Sequence, residues 1–272
     1  MQTVLASSLM ALFLPMAAVA QTPDLSFEWS ATFGASAIDN DVDSGGDPFE
    51  VVFDQASISG DMLHNYAQSG SSSTELSRQF QRYRSDVVDD FTQRGTFLGM
   101  SSGANDVLKE LAAVVTYEAG EDASLDASMD ITIDAVTSAA SRLASTHPDS
   151  IVVLWTIPDL TYAPMFEGMP AAQVDSMRSH LERINAEIWV MDAEPNIVVV
   201  DIYAWLNDLA ITPPVIHGVT VTLDELYVDD RHPNALGNAL SANEIMRRLD
   251  EELGTSLPQL TEDQLAHIGG IP

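Results

Sequence analysis

Ile151-Val152-Val153-Leu154-Trp155 is an unbroken apolar run of strand length. A strand with one wet face alternates apolar and polar residues. A strand that is apolar throughout has both faces covered, as in a parallel sheet flanked by helices. The residues before this run repeat at helical spacing: Met129, Ile133, Val136, Ala140 and Leu143. Steps of three and four mark an amphipathic helix laid on a core. The same helix-then-strand pair recurs downstream. Val174, Met177, Leu181, Ile184, Ile188 and Met191 form the stripe, and Ile197-Val198-Val199-Val200 the strand. Helices alternating with apolar strands predict an α/β domain built on a parallel sheet. Met129, Met177 and Met191 lie on the stripes and are core filler rather than ligands.

Working outward, residues 27–33 read as a first strand that breaks at Gly34-Ala35-Ser36-Ala37. Thr96 to Met100 is a short central strand, Asn65-Tyr66-Ala67 a strand end, and Val107 to Val115 a helix. Thr74 is the expected N-cap of a helix running to about Gln93. Phe49 to Phe53 reads as a strand or a packed loop, and residues 254–272 as a tail that wraps the domain or frays. Pro158, Pro164, Gly168 and Pro170 mark a loop after the Trp155 strand, made apolar by Tyr162, Met165 and Phe166. A loop leaving the C-terminal end of a parallel strand stands where ligands of open α/β sheets bind.

The chain has 272 residues and is 46% hydrophobic, enough for a core and too apolar for disorder. It has no cysteine, which removes disulfides and thiolate chemistry. The net charge is −30, from 41 Asp and Glu against 11 Lys and Arg. Such a surface repels nucleic acid and anionic membranes. It also repels itself unless salt screens it, so a salt-adapted chain is expected. Residues 1–20 read as a signal peptide, although Lys and Arg are missing from the region before the apolar core. Leu9 to Leu14 supply that core, and Ala18-Val19-Ala20 a cleavage site. Secreted or periplasmic localisation follows, with 21–272 as a single domain. No other run is long enough to span a bilayer. The acidic loop Asp39 to Glu50 has oxygens at calcium-loop spacing, but Ser44 stands at the sharp-turn position. It reads as a solvated loop rather than a calcium site.

The chemistry begins at Asp229-Asp230-Arg231-His232-Pro233, which leads into a helix with Pro233 at its expected first position. A His with its own carboxylate is half of a hydrolytic triad. The missing half is a nucleophile on a strand-to-helix turn, and Ser36, just past the first strand, is the first choice. Here several blocks resemble the GDSL, or SGNH, esterases and lipases: Phe33 to Asn40, Asn65 to Gly70, Gly103-Ala104-Asn105-Asp106, and Asp229 to Pro233. Ile151 to Pro158 resembles the strand and proline between the last two. The resemblance spans the mature chain.

It implies a three-layer α/β/α domain with a flavodoxin-like parallel sheet, and a serine esterase that needs no metal or organic cofactor. Ser36 would be the nucleophile, His232 the base and then the acid, and Asp229 the residue that orients His232. The oxyanion hole would comprise the Ser36 and Gly70 backbone N–H groups and the Asn105 amide. The expected substrate is a small-molecule, lipid or glycan ester, with short or medium acyl chains preferred. One departure is Ala35, where the family usually carries Asp. It leaves two other readings open: a weakened module that binds acylated glycans or lipids, and an acyltransferase. Ser57 and Ser59 are weaker rivals for the nucleophile, and Asp230 for Asp229. His180 is expected on the wet side of its helix, and Asp106 as the cap of the helix that follows it.

Overall fold

The computed structural model describes residues 29–38, 47–56, 64–86, 96–147 and 149–272. The signal peptide expected at 1–20, the bulk of the acidic loop and the rivals Ser57 and Ser59 lie outside them. The strands of the main sheet are β1 (Trp29–Gly34), β2 (His64–Asn65), β3 (Thr96–Ser101), β4 (Ile151–Trp155) and β5 (Ile197–Val200). They pair in the order β2-β1-β3-β4-β5, and every pair is parallel. This is the flavodoxin-like order, with its switch point between β1 and β3.

The apolar runs divide by alternation. Ala31, Phe33, Leu98, Met100, Val152, Leu154, Ile197 and Val199 enter one core layer. Phe97, Val153, Trp155, Val198 and Val200 enter the other. β4 and β5, which feed both layers, are therefore apolar at successive positions, while β1 turns the buried hydroxyls of Ser30 and Thr32 to its other face. On the first face lie α2 (Leu76–Asp86), α3 (Ala104–Lys109), α4 (Leu111–Val114), α5 (Ala123–Thr146) and α6 (Ala171–Val190). On the second lie α1 (Pro48–Ala56), the start of α7 (Ile202–Ile211) and α8 (Ala235–Leu253). Both stripes read from the sequence point inward, and Met129, Met177, Leu181 and Ile184 are fully buried.

Three expectations are corrected. Residues 49–53 are helical, within α1. Asp47 accepts the Phe49 N–H at 2.8 Å, Pro48 opens the helix, and Phe49 and Val52 are buried one turn apart. Asp47 is correspondingly not a solvated acid. It is 1% exposed, also accepts from Asn65 Nδ2 at 3.2 Å, and burial pushes its pKa up to about 8. Thr74 is not the cap of α2. A 3-10 turn over Ser73–Glu75 precedes that helix and is capped by Ser72, whose N–H donates to Glu75 at 2.9 Å. The described part of α2 ends at Asp86. Of the two readings of the tail, the wrapping one holds: Thr261 caps α9 (Glu262–Gly269), and Leu265 and Ala266 are buried against Ile216, Leu226 and Leu236.

Phe49 is buried because Gly99 in β3 makes room for it. A Cβ on Gly99 would lie 2.6 Å from the Phe49 ring. Gly99→Ala is therefore expected to destabilise the fold by about 2 kcal/mol, as overpacking does. That is a loss of roughly 5 °C in Tm, read by thermal unfolding.

Candidate active site

The site forms at the C-terminal ends of β1 and β3, the switch point of the sheet. β1 ends at Gly34, whose φ of 144° is a conformation that favours glycine. The Ala35 N–H then donates to Ser101 O at 3.2 Å, and a 3-10 turn over Ser36–Ile38 follows. Ser36 is half-buried at its head.

His232 comes from a tight loop ahead of α8. The Asp229 carboxylate accepts the backbone N–H groups of Arg231 at 2.8 Å and of His232 at 2.7 Å, an Asx turn. The Val228 N–H closes the loop onto His232 O at 2.9 Å. Pro233 is not the first helical residue. It pairs with Tyr227 in an isolated bridge, and Asn234 caps α8 by accepting the Gly237 N–H at 3.0 Å. The neighbouring apolar loop is tied in by Met165 N–H to Asp230 O at 2.9 Å.

A hydrogen-bonded row results. His232 Nδ1 lies 2.6 Å from Asp229 Oδ2, and His232 Nε2 lies 3.0 Å from Ser36 Oγ. The rival Asp230 pairs instead with Arg231, at 2.8 Å. Partial burial pushes the Asp229 pKa up. The His232 ring and the two backbone N–H groups outweigh that and hold the carboxyl at about 2. The structure thus brings Ser36, Asp229 and His232 together.

Asn105 stands in the first turn of α3, lines the same cavity as Ser36, and donates from Nδ2 to Ser71 O at 2.9 Å. Gly103 before it has a φ of 110°, and a Cβ there would lie 2.6 Å from Ile157 Cδ1. Gly70 has a φ of 73°, occupies a turn beside Ser71, and is not among the residues that line the cavity. Among the described residues, neither the Ser36 nor the Gly70 backbone N–H finds an acceptor. Asp106 does not cap its own helix. Its carboxylate holds Ser73, accepting the N–H at 2.8 Å and the hydroxyl at 3.1 Å, which joins α3 to the start of α2.

The cavity beside Ser36 is apolar. Leu108, Ile157, Leu160, Met165 and Phe166 line it, the last three from the loop predicted to reach the site. Tyr162 of that loop turns away, and its hydroxyl donates to Asn207 at 3.0 Å. Trp155 and the α7 residues Ile202, Trp205 and Leu206 line the cavity too, with Leu226 and Tyr227. No motif marks these α7 residues. Their only signal is the apolar stretch after β5. His180 is not solvated. It is fully buried, with Nε2 2.8 Å from Tyr117 O, and takes no part in the site.

No family model matches the chain, and no curated protein matches it in sequence. Solved structures do match. The acetylxylan esterase of Geobacillus stearothermophilus aligns with TM-score 0.54 and 15% identity, over 86% of this chain and 98% of that one. The phospholipase A1 of Streptomyces albidoflavus aligns with TM-score 0.52 and 14% identity, over 83% and 99%. A protein described as a GDSL-like lipase from Parabacteroides merdae aligns with TM-score 0.51 and 16% identity, over 82% and 96%. At such identities the likeness is one of fold. The chain has the fold of the GDSL/SGNH hydrolases.

Proposed function

We propose that this protein is an exported serine esterase that cleaves neutral carboxylic esters with short to medium acyl chains through an acyl-enzyme. The observation that carries the proposal is the Ser36–His232–Asp229 row opening onto an apolar cavity. A serine hydroxyl is a weak nucleophile until a base takes its proton. His232 Nε2 takes it as Oγ attacks the ester carbonyl, and Asp229 stabilises the imidazolium that forms. The tetrahedral oxyanion is met by the Ser36 and Gly70 N–H groups and the Asn105 amide, donors fixed before the reaction begins. The imidazolium then protonates the leaving alkoxide. Water, with His232 again as base, releases the acid and restores Ser36.

The esterase and phospholipase names of the structural neighbours agree with this chemistry, and one of those structures is a serine-to-alanine form described as a catalytic mutant. The cavity walls suit an apolar acyl or alkyl group. The charge of −30 disfavours anionic substrates. Export rests on the apolar core and Ala18-Val19-Ala20 ending of residues 1–20.

The test is a fluorophosphonate label followed by peptide mapping. Label is expected on Ser36, and lost when His232 is replaced by Ala. Label on another serine would reassign the nucleophile. No label, together with no turnover of p-nitrophenyl esters, would leave a binding module instead.

A further inference from the structure

Ala35 removes the carboxylate that would brace the nucleophile turn, yet the turn is held. On the buried face of α2, between Leu76 and Tyr83, stands the polar residue Gln79, 3% exposed. A buried amide needs partners for both of its ends, and Gln79 finds them on one residue. The Gly34 N–H donates to its Oε1 at 2.7 Å, and its Nε2 donates to Gly34 O at 2.8 Å. Gly34 O also accepts the Gln68 N–H at 3.1 Å and the Ser71 hydroxyl at 2.8 Å. Gln79 Nε2 reaches Ser71 Oγ as well, at 3.3 Å. Ser71 O in turn accepts the Asn105 amide.

We infer that Gln79 is a positioning residue: it clamps the end of β1 two residues before Ser36 and locks the Gln68–Ser71 turn, with Gly70, to the nucleophile and Asn105. The inference rests on the esterase reading for its kinetic consequence, but not for its structural one. Ala35 is then tolerated because the brace comes from α2 through the backbone of Gly34. The clamp touches no substrate, so its loss lowers kcat through misplaced donors and nucleophile, while the cavity and KM stay as they are. Misplacement by about an ångström costs on the order of 100-fold.

The full-length chain is compared as wild type, Gln79→Met, Gln79→Glu and Ser71→Ala. Turnover of p-nitrophenyl butyrate is one readout, and hydrogen exchange followed by mass spectrometry is the other. Gln79→Met is expected to lose roughly 10- to 100-fold in kcat with KM within about threefold. The amides of Gly34, Gln68 and Ser71 should exchange faster. Ser71→Ala keeps both Gln79–Gly34 bonds and should lose only a few-fold.

Gln79→Glu gives the reading that packing loss alone would not. As a neutral acid it can both accept the Gly34 N–H and donate to Gly34 O. As an anion it faces that oxygen with no proton. Burial raises a carboxyl pKa, so its kcat relative to wild type should climb as pH falls. Unchanged exchange and kcat in Gln79→Met would overturn the inference, as would a pH-flat Gln79→Glu. If Gln79→Met fails to fold, the pH dependence of Gln79→Glu decides. If wild type shows neither turnover nor fluorophosphonate label, the esterase reading fails, and exchange alone decides the clamp.

Discussion

Ser36→Ala is expected to lower kcat for a short-chain p-nitrophenyl ester by about 10⁶-fold, because the hydroxyl and the imidazole act as one unit. The loss should nearly equal that of His232→Ala, and the double variant should lose little more. What survives over the uncatalysed rate would come from the oxyanion donors and binding, roughly 10³- to 10⁴-fold. Stability should hardly move. Ser36 Oγ has His232 Nε2 as its partner, and one such bond contributes about 1 kcal/mol. Steady-state kinetics and a thermal melt on the same preparation separate the two effects. A variant that retains activity within tenfold of wild type would place the nucleophile elsewhere.

The sequence was most legible where a single local pattern had one physical cause. β4 and β5 are continuous apolar runs because the core layers on both sides of the sheet draw on alternate residues. The Asp229–His232 pair was legible because three residues of turn suffice to close it. Ser36 was legible as a candidate from its place just past the first strand, but its partnership with His232 needed the resemblance, since 196 residues separate the two and only the sheet order brings them together. α1 was misread because a short apolar run fits strand and helix alike. What decides it is Phe49 packing over Gly99, a contact 50 positions away. His180 was misread by its polarity: it stands three residues after Met177 and four before Ile184, at the edge of the buried stripe, and Tyr117 O supplies the partner that lets it be buried there. The α7 wall of the cavity and the Gln79 clamp carry no motif, because their roles depend on elements that meet only in three dimensions.

Asp229→Asn should be the sharper probe of mechanism, since it leaves the loop standing and disables the base. An asparagine Oδ1 can still accept the N–H groups of Arg231 and His232, which Asp229 now holds at 2.8 and 2.7 Å. Its Nδ2 would then face His232 Nδ1 and donate to it. That favours the tautomer with the proton on Nε2, where it blocks acceptance from Ser36. A kcat loss of about 10⁴-fold is expected, with slowed rather than abolished fluorophosphonate labelling.

The pH profile tests the same carboxylate in wild type. Asp229 sits at about 2 against an ordinary value of 3.8, so it stays ionised down to strongly acid pH. Its stabilising contribution is fully present above pH 3.8 and lost as pH falls through about 2. The acid limb of kcat/KM should therefore carry no contribution from this carboxyl above pH 3.8. A second limb near pH 4 would mean that the three N–H donors do not hold Asp229 ionised, and the orienting role would fall with them.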